Sequence, residues 1–300
     1  MHAVQINRFG GPEVLEVQEV DPPVVRDGEV LVRTVATSIN PIDRKLRIKD
    51  RELGFPLTLG WDLAGVVVES SAVEFGPGDR VIGMSNVLNT RNGTWADLVA
   101  MPAADLAPAP ESASLIEAAT LPLAGLTALQ TWRSLEPRDG HPAKVLVIGA
   151  AGAIGAILVQ LAVHAGVVVD GVVSRPEHLD PVTDLGAVTV TMESAKLPAG
   201  SYAAIIDTVG LPQSGVDASK LLTASGRYVA VPSVAELPTD ADARKLLVER
   251  DPAGLKELSQ MVDEDIVRLR VAGAYPLRDI RTAHTRFESG GLLGKIVVVF

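Results

Sequence analysis

Residues 145–148, Val-Leu-Val-Ile, form a strand-type apolar run that ends in three glycines spaced three apart: Gly149, Gly152 and Gly155. An apolar, alanine-rich run of helical length follows, over 156–165. Strand, tight glycine turn and helix together aim free backbone N–H groups and the positive end of a helix dipole at one spot, which suits a diphosphate. The glycines have separate tasks. One allows the sharp turn, one lets phosphate approach the backbone, and one lets the helix pack close to the strand. The pattern nominates Gly149, Gly152, Ala153, Ile154 and Gly155 as dinucleotide contacts, the last four through their backbone N–H groups. The bland alternative is a structural glycine turn in an unrelated α/β unit.

The surroundings extend this unit. Strand-like runs at 167–173, 188–190, 203–207 and 226–231 alternate with helical stretches, one before Leu185-Gly186 and one closing at 221–224. Such alternation implies βαβ units and a parallel sheet. Residues 1 to about 110 differ. Short strand-like runs at 14–20, 30–36, 64–69 and 80–83 are punctuated by Asp21-Pro-Pro, Asp27-Gly and Gly76-Pro-Gly-Asp. They read as a small barrel or sandwich. Ser114-Leu-Ile-Glu117 has capping-box spacing, and helical pieces at 116–120 and 122–134 follow it. The tail leaves the alternation, with a strand at 268–272, a helix at 277–288 stopped by Gly290-Gly291, and a closing strand at 295–300.

Three hundred residues suggest two domains, each with its own core. A net charge of −10 repels nucleic acid and anionic membranes. The basic cluster from Arg44 to Arg51 is short and interrupted, and reads as a solvated helical face. No apolar run approaches the ~20 residues that span a bilayer. The first residues alternate like a strand, unlike a signal peptide, so the cytoplasm is the expected location. The chain has no cysteine, which removes disulfides, thiolate nucleophiles and cysteine-bound zinc. Its five histidines, His2, His141, His164, His178 and His284, show no ligand spacing.

Several segments together resemble the medium-chain dehydrogenase/reductase superfamily. Ser38-Ile-Asn-Pro-Ile-Asp43 is similar to its Asn-Pro-x-Asp segment, and Leu59-Gly-Trp-Asp-Leu-Ala-Gly65 and Gly76-Pro-Gly-Asp-Arg-Val81 to its barrel landmarks. Leu121-Pro-Leu-Ala-Gly-Leu-Thr-Ala128 resembles the helix that approaches the nicotinamide. Ile206-Asp-Thr-Val-Gly210, Ser225-Gly-Arg-Tyr-Val229 and Gly294-Lys-Ile-Val297 resemble later strands. Zinc-dependent members carry a Cys and a Gly-His-Glu segment, whereas Gly60 here precedes Trp61 and Asp62. The resemblance is therefore to the zinc-independent quinone oxidoreductase branch. It implies an α/β chain with a GroES-like β-barrel catalytic domain (1–115 and 266–300) and a doubly wound Rossmann cofactor domain (116–265). It further implies NADPH as cofactor, and hydride transfer to a quinone or related α,β-unsaturated carbonyl in the cleft between domains. An enoyl or enone reductase of the same fold, or a non-catalytic NADPH-binding redox sensor, are the rival readings. Family habit adds a homodimer.

Individual residues carry this reading. NAD-specific sites place an acid about 20 residues beyond the glycine loop, whereas the second strand here ends in Ser174-Arg175, suited to a 2′-phosphate. His178 is a further donor candidate, at a point where the family often has Lys. Asp170 falls mid-strand and reads as structural. By resemblance, Thr127 lies near the nicotinamide carboxamide; alternatively its hydroxyl bonds back to its own helix. Gly210 and Asp207 end a parallel strand, where ligands collect, although Asp207 also suits a turn cap. Asn40 and Asp43 face the substrate side in the resemblance, Asn40 to hydrogen-bond the nicotinamide ribose or the substrate carbonyl and Asp43 to orient Lys45 or Arg44; alternatively they start a turn and cap a helix. Lys45 stands near a position where some members have tyrosine. Trp61 and Trp95 are either an aromatic wall for a flat substrate or core residues.

Overall fold

The computed structural model describes residues 1–49, 53–135, 143–210, 214–232 and 236–300. His141, Asp50 and Arg51 lie outside the described residues. Six parallel strands form one sheet in the spatial order Thr189–Thr191, Val168–Val172, Lys144–Ile148, Tyr202–Asp207, Leu222–Ala230, Asp242–Lys245. In chain order this is 3-2-1-4-5-6, so the winding reverses between the first and fourth strands, and the crevice at their carboxyl ends is where such sheets take ligands. The helix Ala153–His164 is buried continuously from Gly155 to Ala162, because it is covered both by the sheet and by the helix Pro122–Ser134.

The second sheet has seven strands. Its centre is the ten-residue strand Glu29–Ser38, which pairs with Asp62–Ser70, Leu98–Pro102 and Lys295–Val299. Arg80–Met84 and Leu106–Pro108 continue it on one side, and Val271–Pro276 ends it on the other. A three-stranded antiparallel sheet, Glu16–Glu19, His2–Ile6 and Leu57–Thr58, accompanies it. The last strand thus returns to pair with one of the first, which brings Lys295 to Asn40. The Ile39 N–H donates to the Ile296 carbonyl at 3.0 Å, and Gly152 bridges to Gly294 across the two sheets.

Four elements differ from the sequence reading. The expected helix end at 221–224 is split, because the helix Ala218–Leu221 stops and Leu222 already pairs with Tyr202 beyond a register shift. Sheet pairing there overrides local propensity. The strand expected at 268–272 is Val271–Pro276, positioned by its register on the closing strand. The edge strand Asp242–Lys245 was missed because it is too polar to show a pattern. The helix Pro252–Asp263 was also missed, although Asp251 at its N-cap, accepting from the Gly254 N–H at 2.8 Å, and Pro252 at its first position mark its start. The capping box at Ser114 and Glu117 is present. No helix among the described residues is long and apolar enough to cross a membrane.

Candidate active site

The glycine turn opens onto a cavity of about 220 Å³ between the sheets, lined by Asn40, Leu123, Gly152, Ala153, Thr208 and Lys295 among others. Gly149 adopts φ +78, and a Cβ there would strike the Thr208 hydroxyl. A Cβ on Gly155 would run into the Gly149 carbonyl oxygen and stand 2.9 Å from Ala150 Cα, so this glycine sets the strand–helix approach. A Cβ on Gly152 would meet only the Gly149 oxygen, at 3.4 Å. Its open side is therefore a cradle of the kind a diphosphate needs. The Gly152 N–H is already engaged with the Gly149 carbonyl at 3.0 Å. This corrects one expectation: Gly152 offers room rather than a donor. The N–H groups of Ala153, Ile154 and Gly155 lie in the first helical turn, which has no intrahelical acceptors for them.

Facing the turn is a buried polar cluster that the sequence reading did not assemble. Lys295 Nζ donates to Asp62 Oδ2 at 2.6 Å and to Asn40 Oδ1 at 2.7 Å. Asn40 Nδ2 donates to the same Asp62 oxygen at 2.7 Å, and the Ser38 hydroxyl joins them. Asp62 Oδ1 accepts the Leu123 N–H at 2.7 Å, at the start of the helix Pro122–Ser134. One carboxylate thus ties the closing strand, the Asn-Pro turn and the nucleotide-side helix together. In the sequence, Asp62 stands only as part of a barrel landmark that departs from the zinc-ligand segment, and Lys295 only as part of the closing strand. The available signal was a lysine opening the apolar run Ile-Val-Val-Val and an acid inside Trp-Asp-Leu-Ala, since buried charges require partners.

Several nominated residues take the bland role. Asp43 is fully buried and accepts from the Asn40 N–H at 2.8 Å and the Gly60 N–H at 3.2 Å, so it caps the helix Pro41–Ile48 rather than facing a substrate. Burial pushes its carboxyl up to about 8, only partly opposed by the Asn40 N–H. Lys45 is half-buried on that helix and does not line the cavity. The Thr127 hydroxyl donates to the Leu123 carbonyl at 2.6 Å, one turn back, and Leu123 and Ala124 line the cavity instead. Asp207 Oδ1 accepts from the Val209 and Gly210 N–H groups at 2.8 and 2.7 Å, the turn-cap role, and Thr208 reaches the cavity. Asp170 is held by Tyr202 Oη at 2.6 Å and Lys144 Nζ at 2.7 Å, as a structural group.

At the end of Val168–Val172, Ser174 and Arg175 are exposed. Arg175 makes a loose ion pair with Glu177, at 3.8 Å. His178 is 5 % exposed, which removes it as a donor to a ligand at this end. Trp95 is wholly buried against His284, with ring centroids 5.2 Å apart, and is core. Trp61 lines a second cavity of about 490 Å³ with Met84, Leu88 and Arg250, and its indole N–H is buried without a partner among the described residues.

The far wall of the first cavity includes Phe287, on the helix Ile280–Glu288. Arg47, nearly fully buried, fastens this helix by donating to Glu288 Oε1 at 2.6 Å and to His284 Nδ1 at 3.1 Å. Burial, with the Arg47 guanidinium beside it, pulls the His284 imidazole down to about 3. Because the unfolded pKa is near 6.5, this neutral histidine contributes stability that is fully present above that pH and is lost as pH falls toward 3. The His284 ring resonances should keep their neutral-form shifts in an NMR titration from pH 8 to about 4. A midpoint near 6 refutes the buried, neutral assignment.

Two family models match the chain: the alcohol dehydrogenase GroES-like domain over residues 26–111 and the zinc-binding dehydrogenase over residues 178–298. The chain is 30% identical over 329 residues to the chloroplast envelope quinone oxidoreductase homolog of Arabidopsis thaliana, covering 99% of this chain and 98% of that one. It is 28% identical over 316 residues to the NADPH-dependent alkenal/one oxidoreductase, chloroplastic, of the same plant, covering 99% of this chain and 79% of that one. The solved quinone oxidoreductase from Coxiella burnetii superposes with a TM-score of 0.88 at 28% identity, covering 100% of this chain and 99% of that one. The fold is thus a GroES-like domain joined to a Rossmann-type nucleotide domain. The chain belongs to the medium-chain dehydrogenase/reductase superfamily, in its quinone oxidoreductase branch.

Proposed function

We propose that this chain is a zinc-independent, NADPH-dependent reductase of quinones or related α,β-unsaturated carbonyls. The observation that carries the reading is the single cavity in which the glycine turn faces Asn40 and Lys295. Two relatives' names, a quinone oxidoreductase homolog and an NADPH-dependent alkenal/one oxidoreductase, support the substrate class. The division into 1–115 with 266–300, and 116–265, belongs to the same reading and follows the membership of the two large sheets. So does a homodimer, for which the edge strand Asp242–Lys245 offers an unpaired sheet edge among the described residues.

Reduced nicotinamide, when bound, supplies the hydride. The chain's own residues hold and orient. Ala153, Ile154 and Gly155 would hold the diphosphate through their N–H groups, with Lys295, paired to Asp62, lining the same cavity, and Ser174 with Arg175 would hold the 2′-phosphate. Asn40 has its amide fixed by Asp62 and Lys295, so it presents a set orientation to the cavity. A catalytic zinc needs three protein ligands. Here Trp61 stands where a ligand would be wanted, and both Asp62 oxygens are taken by Ser38, Asn40, Lys295 and the Leu123 N–H. The donor set does not fit the metal. A reduced quinone takes its proton from water, so positioning suffices, whereas an alkenone gains more from a dedicated acid.

The test is a panel of benzoquinone, naphthoquinone and alkenones with NADPH and NADH, alongside nucleotide titrations followed by fluorescence. NADPH-dependent reduction of at least one acceptor is expected. Tight NADPH binding without turnover of any acceptor makes the chain a binding protein instead. Arg175→Glu should weaken NADPH by roughly tenfold to a hundredfold more than NADH, since it sets an acid against the 2′-phosphate. Equal losses for both nucleotides refute the role of Arg175.

A further inference from the structure

Arg175 is carried by the nucleotide sheet, yet the surface beneath its head group comes from the other end of the chain. A Cβ built on Gly291 would clash with Cζ, Nε and Nη2 of Arg175, so the guanidinium lies over the space that any side chain at this position would fill. Gly291 adopts φ +62 in the loop that joins the helix Ile280–Glu288 to the closing strand. The loop is held independently of Arg175: the Gly290 N–H donates to the Phe287 carbonyl at 3.2 Å, and Arg286 Nη1 donates to the Gly290 carbonyl at 2.8 Å. Three residues of the same stretch, Leu292, Gly294 and Lys295, line the cavity at the glycine turn. One loop therefore touches both the diphosphate cavity and the arginine at the 2′-end.

We propose that Gly291 determines nucleotide specificity: its bare Cα is the seat that holds the Arg175 guanidinium where a 2′-phosphate would meet it. This rests on the NADPH reading above. The arginine is a flexible side chain with its head partly in solvent, so an added methyl group displaces it without demanding that the backbone move. The 2′-phosphate site is then assembled from both ends of the chain.

The neighbouring glycine supplies the control. Gly290 has nearly the same conformation, φ +67, but a Cβ there meets nothing within 4 Å. Gly290→Ala and Gly291→Ala therefore impose similar backbone strain, and only the second touches Arg175. The experiment measures equilibrium binding of 2′,5′-ADP, 5′-AMP, NADPH and NADH by calorimetry, with melting curves for each variant. Gly291→Ala should weaken 2′,5′-ADP and NADPH by about tenfold relative to 5′-AMP and NADH, the scale of one charge-assisted phosphate contact. Gly290→Ala should leave these ratios at the wild-type value. In an Arg175→Ala background, Gly291→Ala should have no further effect on them. Equal ratios in the two glycine variants, or a selective loss that persists without Arg175, overturn the inference alone. A wild-type chain that binds both nucleotides alike overturns the NADPH reading and the inference with it.

Discussion

Asp62→Ala should lower the unfolding free energy by about 3–5 kcal/mol, the scale for removing one partner from a buried ion pair. Asp62 is fully buried and Lys295 is 5 % exposed. Without the carboxylate, the ammonium keeps one side-chain acceptor in the cluster, Asn40 Oδ1. The Ser38 hydroxyl, the Asn40 amide and the Leu123 N–H also lose their common acceptor, each a buried polar group left unsatisfied. Lys295→Met removes the other half of the same pair and should cost less, about 1–3 kcal/mol. Its stem packs as methionine does, and Asp62 retains three neutral donors, from Ser38, Asn40 and the Leu123 N–H. Urea unfolding of the two variants checks the asymmetry through the shift in midpoint at unchanged slope. A Lys295→Met variant as unstable as Asp62→Ala would show that the three neutral donors do not sustain the carboxylate. Asp62→Ala should also weaken nucleotide binding, because Asn40 and the start of the helix Pro122–Ser134 both take their position from this carboxylate.

The parts of the site that could be read from the sequence are those whose cause is local. The strand, glycine turn and helix over residues 144–164 follow from residue spacing, and the helix Pro122–Ser134 from its opening proline and apolar content. The local reading also explains Thr127, Asp43 and Asp207. Each has a partner within a few residues, so a helix back-bond, an N-terminal cap and a turn cap can be read locally, whereas the Gly60 N–H on Asp43 and the Tyr228 hydroxyl on Asp207 come from farther along the chain. The cluster at Asp62 was not legible in this way. Its two charges are 233 residues apart, and they meet only because the closing strand pairs with Glu29–Ser38. His178 failed for a different reason. Its distance from the strand end places the residue near the 2′-terminus, but spacing does not tell which way a side chain points in a short 3₁₀ turn, and this one is buried. The seat beneath Arg175 is a further case of sequence distance, since a Gly-Gly pair reads as a helix stop and nothing local marks what lies over it.

The glycine turn yields the second large effect, because two of its glycines should fail in opposite ways. Gly155→Val drives a side chain into the Gly149 carbonyl and toward Ala150 Cα, and both are backbone atoms that cannot swing aside. The helix Ala153–His164 must then move off the strand Lys144–Ile148, and a loss of about 3 kcal/mol of stability is expected, at the upper end for overpacking. Gly152→Val meets only the Gly149 oxygen at 3.4 Å, and its φ of −70 is ordinary for any residue. It should fold within about 1 kcal/mol of the wild type. Its side chain would fill the open face of the cradle instead, and nucleotide affinity should fall by roughly a hundredfold, equivalent to losing about 2.7 kcal/mol of phosphate contact. Melting curves paired with nucleotide titrations separate the two. If both variants lose stability and affinity in the same proportion, the turn has one structural task, and the division of labour between a packing glycine and a glycine that leaves room for phosphate is wrong.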